Sequence, residues 1–197
     1  MFTQMKKRKY RQKRRAEQVE DTRQQIVEAA MLLHEKLGPA QTPITAIAEQ
    51  AGVQRLTVYR HFPDEESLIQ ACSSHWLALH PPPQDSWSAE KEPLERCRKA
   101  LKAFYDYYRE TERMWQVCYR DMDRVEPVRK IMDGFETELD GLRDNLLADL
   151  KPRAGKKVRV SAILRHALRL GTWQSLRDEK LDNQEMADAF ADWLSAA

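Results

Sequence analysis

The sequence predicts an all-α protein, and three observations predict it. Apolar residues recur at three- and four-residue steps from Ile26 to Leu194, the period of a helix with one face buried. No stretch alternates apolar and polar residues between hairpin turn signals, so no strand is expected. Residues 42–62 read as two short helices joined by a tight turn at Gly52. With 197 residues, the chain has enough material for one large or two small domains with a real core.

Residues 1–15 carry eight basic side chains and no acidic one: Lys6, Lys7, Arg8, Lys9, Arg11, Lys13, Arg14 and Arg15. Two readings stand: a solubilising tail, or an arm that adds phosphate contacts or reaches the minor groove. Both expect disorder in free solution. The first helix is placed at Thr22–Leu37, with Ile26, Ala29, Ala30, Leu33 and Leu37 on one face. Nothing from Ala16 to Gln25 breaks a helix, so it can start as early as Arg15. Gly38-Pro39 ends it, and His34 is read as a surface or boundary residue.

Thr42 is expected to cap the next helix, with Pro43 at its first position, where no backbone N–H is needed. Ile44, Ile47, Ala48 and Ala51 give that helix its apolar face, and Gly52 stops it. From Gln54 a second short helix divides by chemistry. Leu56, Val58 and Phe62 are apolar; Gln54, Arg55, Thr57, Tyr59, Arg60 and His61 form hydrogen bonds. A short exposed helix of that kind suits a major groove. There arginine bonds guanine in two places, glutamine bonds adenine, and Thr or Tyr reaches phosphates or a thymine methyl.

Ile47-Ala48, Ala51-Gly52-Val53 and the run Thr57-Val58-Tyr59-Arg60-His61-Phe62, followed by Leu68, resemble the DNA-binding signature of the TetR family of transcriptional regulators. The resemblance covers residues 22 to about 80. It implies an N-terminal three-helix helix-turn-helix headpiece (22–80) behind a basic arm (1–21), and a helical domain (81–197) for effector binding and dimerisation. Arg55 is the expected base contact and Gln54 the next. Thr57, Tyr59 and His61, with Thr45 from the preceding helix, are expected mostly at phosphates; Arg60 completes the surface. Two residues depart from the family pattern. Glu65 stands where many members carry a phosphate-binding lysine, and an acidic side chain there repels the backbone. Leu56 stands where a small or polar residue is usual; it either touches a thymine methyl or packs.

Asp64 is a good N-cap for the following helix, with Glu65 and Glu66 in its first turn and Leu68, Ala71, Cys72, Trp76 and Leu79 as its stripe. Pro81-Pro82-Pro83, within His80–Ser88, breaks the chain. Beyond it the sequence places helices at Pro93 to about Glu110, Glu112 to Arg124, Val128 to Leu150, Lys156 to about Asp178, and around Met186–Leu194, with a loop from Lys151 to Gly155. The helix from Lys156 is apolar on two faces and must bury both. The resemblance implies that the last helices pair across a two-fold axis, so residues 156–195 are expected to form a homodimer, with Gly171 permitting a close approach.

The net charge of +2 is unevenly spread: residues 1–60 hold 12 Lys/Arg against 6 Asp/Glu, and residues 61–197 hold 21 against 25. A basic N-terminal third on a mildly acidic remainder suggests a nucleic-acid-binding end joined to something else; the resemblance implies that the partner is double-stranded DNA. No Gly-rich phosphate loop, nucleophile elbow or metal-ligand cluster is present, so neither enzyme activity nor a cofactor or metal is expected. Cys72, Cys97 and Cys118 are spaced neither as a disulfide framework nor as a zinc site, which fits a reducing cytoplasm. No segment reads as a signal peptide or reaches the ~18 apolar residues of a membrane span. Residues 1–15 also lack the apolar face of a membrane-surface helix. The expected function is a dimeric transcriptional repressor that leaves a near-palindromic operator when a small molecule binds the C-terminal domain. Tyr105, Tyr108 and Trp115 are the candidates for that pocket, although aromatic residues at helical spacing are also ordinary core.

Overall fold

The structure, a computed structural model, describes the backbone of residues 2–84 and 86–197, with the side chains of Tyr10, 12–84 and 86–197. Its helices are α1 (Phe2–Leu37), α2 (Ile44–Gln50), α3 (Arg55–His61), α4 (Glu65–Leu79), α5 (Pro93–Asp121), α6 (Glu126–Leu150), α7 (Lys157–Ala167), α8 (Leu170–Asp178) and α9 (Asn183–Ala196). Single 3₁₀ turns at Pro39–Gln41 and Ala154–Lys156 link α1 to α2 and α6 to α7. Among the described residues there is no strand, and the fold is all-α.

The chain forms two compact units. The first runs up to Leu79 and includes Val117–Arg129; the second holds His80–Gln116 and Lys130–Ala197. Helices α5 and α6 are therefore each continuous from one unit into the other.

In the first unit, Ile26, Val27, Ala29 and Ala30 of α1 pack with Ile47 and Ala48 of α2, Val58 of α3, Phe62, and Leu68 and Cys72 of α4. Helical spacing predicts this set apart from Val27, and two residues of the predicted stripes, Leu37 and Leu79, are exposed. Helix α1 starts at Phe2, not at Thr22 or Arg15. Its first part is rich in Lys, Arg and Gln, good helix formers with no Gly or Pro among them. Lys13 and Glu17 pair at 3.8 Å one turn apart, and Glu20 and Arg23 do the same. The expected disorder of the arm is thus replaced by helix. The side chains of Lys6, Lys7, Arg8, Lys9 and Arg11 lie outside the described residues.

His34 corrects the sequence reading. It is buried at 4 % exposure, with Nδ1 3.3 Å from the Cys72 sulfur. Burial lowers its pKa to about 4, partly offset by the Asp121 carboxylate, so the imidazole is neutral. Thr42 does not cap α2 either. The N-cap is Pro43, and the Thr42 hydroxyl donates to the Gly38 carbonyl at 2.8 Å, closing the preceding turn. Gly38 has φ +92, and the side chains of Arg120 and Asp121 lie against it. Asp121 accepts from the Ala40 amide at 3.0 Å, and Arg120 Nη2 donates to the Leu37 carbonyl at 2.7 Å. The α1 end is thereby tied to the last turn of α5.

Helix α5 is one helix where the sequence suggests two, parted around Glu110–Glu112. No Gly or Pro falls between Leu94 and Asp121, so nothing breaks it. Conversely, the single helix expected from Lys156 to Asp178 is broken at Leu168-Arg169 into α7 and α8. A helix end leaves carbonyls without intrahelical partners. Here Tyr105 donates its hydroxyl to the Ala167 carbonyl at 2.9 Å and Tyr108 to the Leu168 carbonyl at 2.8 Å. Helix α9 begins with a capping box: Asp182 accepts from the Gln184 and Glu185 amides, and Glu185 accepts from the Asp182 amide.

Candidate nucleic-acid interface

The candidate site is α3 with the turn that sets it. Ala51 ends α2, and Gly52 follows at φ +66. The Val53 amide donates to the Ala48 carbonyl at 2.9 Å and the Gly52 amide to the Glu49 carbonyl at 3.1 Å. This is the Schellman pairing, which consumes the last carbonyls of α2 and reverses the chain within two residues. Val53 is half-buried against the core. Gln54 is the extended N-cap of α3, and its side chain makes no capping hydrogen bond.

Helix α3 then divides as its sequence suggests. Val58 is fully buried and Phe62 nearly so, fixing the inner side; Thr57 and His61 lie at the edge, half-buried. Gln54, Arg55, Leu56, Tyr59 and Arg60 are exposed, Leu56 at 60 % and Tyr59 at 39 %. Leu56 is therefore not part of the packed core of the headpiece. Thr45 of α2 is exposed as well. Arg55 Nη2 donates to the Tyr59 hydroxyl at 3.0 Å, and the Arg55 guanidinium carbon is 5.3 Å from the Tyr59 ring centre. All eight residues expected at DNA are therefore on one α2–α3 element, six of them exposed and two at its edge.

Arg23 is a neighbour that spacing alone passes over. It lies half-buried on α1, its guanidinium 5.1 Å from the Phe62 ring centre. The signal is its place one turn before Ile26, where an arginine stem can lie along apolar surface. After α3, Asp64 caps α4 by accepting from the Ser67 amide at 2.7 Å, which holds its carboxyl below the usual carboxylate range. Glu65 and Glu66 follow, exposed, in the first turn. Three acidic side chains occupy a helix start that would otherwise favour a phosphate.

The three pocket candidates lie in the packed interior of the second unit. Tyr105 and Tyr108 are fully buried with their hydroxyls committed to α7 and its end. Burial pushes the Tyr105 hydroxyl pKa up, so it remains a donor. Trp115 is nearly buried, stacked on Phe135 with ring centres 4.1 Å apart, and its indole N–H donates to Thr111 at 3.1 Å.

Burial pushes the thiols of Cys72, Cys97 and Cys118 up to about 12, so none is a ready nucleophile at neutral pH. Among the described residues, no group of three or more His, Cys, Asp or Glu side chains is placed to hold a metal ion. No described helix is long and apolar enough to cross a membrane.

Comparison with known proteins agrees with this geometry. Residues 26–72 match the family of bacterial regulatory proteins, tetR family. Over 91 residues the chain is 38 % identical to the HTH-type transcriptional regulator TtgR and to the probable HTH-type transcriptional regulator ArpR, both of Pseudomonas putida. That stretch is 45 % of this chain and 43 % of each relative, so the match spans less than half of the relatives' length. The likeness to the tetR family at this level of identity thus lies in the N-terminal part of the chain, where the helix-turn-helix stands.

The fold likeness extends further. A TetR-like transcriptional regulator from Rhodococcus sp. RHA1 superposes with a TM-score of 0.61 at 19 % identity, covering 86 % of this chain and 91 % of that one. NalD, the secondary repressor of the MexAB-OprM multidrug efflux pump in Pseudomonas aeruginosa, gives 0.59 at 22 %, over 90 % and 96 %. SmeT, in its complex with triclosan, gives 0.60 at 18 %, over 89 % and 90 %.

Proposed function

We propose that the protein is a sequence-specific DNA-binding transcriptional regulator, a repressor that leaves its operator when a small molecule binds the C-terminal domain. One observation carries the reading: α3 buries Val58 and turns Gln54, Arg55, Tyr59 and Arg60 outward behind a turn fixed by backbone hydrogen bonds. Arg55 reads a guanine, and Gln54 reads the neighbouring pair. Leu56 meets a thymine methyl. Thr45, Thr57, Tyr59, Arg60 and His61 hold phosphates and set register. The basic residues of the arm add phosphate contacts that compensate for the acidic start of α4.

The protein acts as a homodimer through residues 156–195. Val158 of α7 is 82 % exposed and Trp193 of α9 is 47 % exposed, large apolar side chains that a partner copy would cover. Gly171 has open space where a Cβ would sit, which leaves room for a close helix approach. Two α3 helices then meet successive major grooves, half-sites about 34–36 Å apart.

The effector is a small apolar molecule with aromatic character, taken among the rings near Tyr105, Tyr108 and Trp115. Tyr107, Tyr108, Trp115 and Phe135 form a run of ring contacts there, and the SmeT structure of the same fold holds triclosan. By linkage, effector and DNA weaken each other's binding by one and the same factor. Selection of bound duplexes from random DNA tests the core of the reading. Recovery of a near-palindrome with guanine at a fixed place in each half supports it; recovery of no common sequence contradicts it.

A further inference from the structure

Arg55 and Tyr59 stand one turn apart on the outer face of α3, and they are joined before any partner arrives. The guanidinium lies over the phenol ring with its carbon 5.3 Å from the ring centre, and Nη2 donates to the hydroxyl at 3.0 Å. Both residues are exposed, and α3 contains no acidic residue that would compete for the cation. An unrestrained arginine must give up much of its rotamer freedom to meet a base edge. One already held by a ring and a hydroxyl has given up part of it beforehand.

The donor and acceptor roles fit together. A phenol oxygen accepts through its lone pairs and keeps its own proton to donate. Accepting from Arg55 therefore leaves the Tyr59 O–H free for a phosphate oxygen. The other guanidinium N–H groups stay free for the paired acceptors of guanine O6 and N7. Hydrogen bonds in such a chain polarise one another, each strengthening the next.

We infer that Tyr59 is a positioning residue for base readout: its ring and hydroxyl hold the Arg55 guanidinium in the attitude that meets a guanine, while the hydroxyl proton goes to a backbone phosphate. This rests on the proposed reading of α3 as the DNA-contacting helix and adds a role that a phosphate contact alone does not have. A residue that only touches phosphate carries no sequence information. A residue that aims an arginine does, although it never touches a base.

The test uses the full-length protein and duplexes built on the selected site, each guanine of a half-site replaced in turn. Affinities come from fluorescence anisotropy across a salt series, for wild type, Tyr59→Phe, Tyr59→Leu, Arg55→Ala and the double variant Arg55→Ala/Tyr59→Phe; circular dichroism checks that each remains folded. The inference expects Tyr59→Phe to lose about 3- to 10-fold in preference for one guanine, the same one that Arg55→Ala ceases to distinguish. Tyr59→Leu, which also removes the ring, loses more. The double variant shows no further loss of preference beyond Arg55→Ala, because the two act as one unit. Uniform weakening on every duplex by Tyr59→Phe overturns the inference and leaves the proposed function standing, with Tyr59 a phosphate contact only. Losses of preference that add in the double variant overturn it too. A wild-type protein that binds all duplexes alike removes the proposed function and this inference together.

Discussion

Arg55 and His34 show how far sequence reveals the setting of a single residue. Arg55 is legible because its chemistry and position agree: a cation at the start of a helix whose inner side is fixed by Val58. Arg55→Ala is expected to cost roughly 1–3 kcal/mol of specific binding and to relax preference at one base pair. Unchanged preference in a site selection would exclude that role. His34 is misread from sequence because its polarity outweighs its place. It follows Ile26 and Ala30 at four-residue steps, on the stripe that packs inward, and it is buried against Cys72. The unfolded chain takes up this proton below about pH 6.5, whereas the folded chain resists until about pH 4. In that window the unfolded state binds more protons, so stability falls as pH is lowered. The effect amounts to roughly 3 kcal/mol once pH is below 4. Urea unfolding at pH 7 and pH 4.5 should show a smaller loss in His34→Gln than in wild type; equal losses would contradict a buried neutral imidazole.

Among the elements, those bounded by local signals are legible and those bounded by tertiary contacts are not. Gly52 announces the α2–α3 turn because only glycine takes φ +66 without cost. The break between α7 and α8 has no such mark. Leu168-Arg169 contains no breaker, and the freed carbonyls are met by Tyr105 and Tyr108, about 60 residues away in sequence. The start of α1 escapes the sequence reading because its outer turns have no apolar stripe; they rest on propensity and on pairs such as Lys13–Glu17. Two glycines differ in backbone strain and in crowding. Gly52→Ala meets no atom within 4 Å and should cost only the left-handed conformation, about 1–2 kcal/mol. Gly38→Ala meets a harsher backbone, φ 92 and ψ 151, a region open essentially to glycine, and also displaces Arg120 and the buried Asp121, so it should lower the melting temperature further. Equal melting temperatures would contradict both the harsher backbone at Gly38 and the contribution of the contact between the α1 end and the last turn of α5.

For the whole molecule, the sequence conveys the class and the uneven charge, and the headpiece is readable because its motif is continuous. The second unit is readable only as helices, since a motif-free bundle is specified by packing among distant residues. The proposed assembly makes two predictions. Trp193→Asp places a charge at an exposed apolar position of α9 and should yield monomers by sedimentation; an unchanged dimer would move the seam elsewhere. Deleting residues 1–14 removes seven basic residues, and should flatten the slope of log affinity against log salt; an identical slope would take the arm off the phosphates. The central claim is that α3 enters the major groove twice over, in a symmetric pair. Methylation interference on the selected operator tests this most directly. The account predicts that methylation of guanine N7, in the major groove, blocks binding at two symmetric positions about one helical turn apart, while methylation of adenine N3, in the minor groove, does not block it there. Interference confined to the minor groove, or the absence of any at guanine N7, would contradict it.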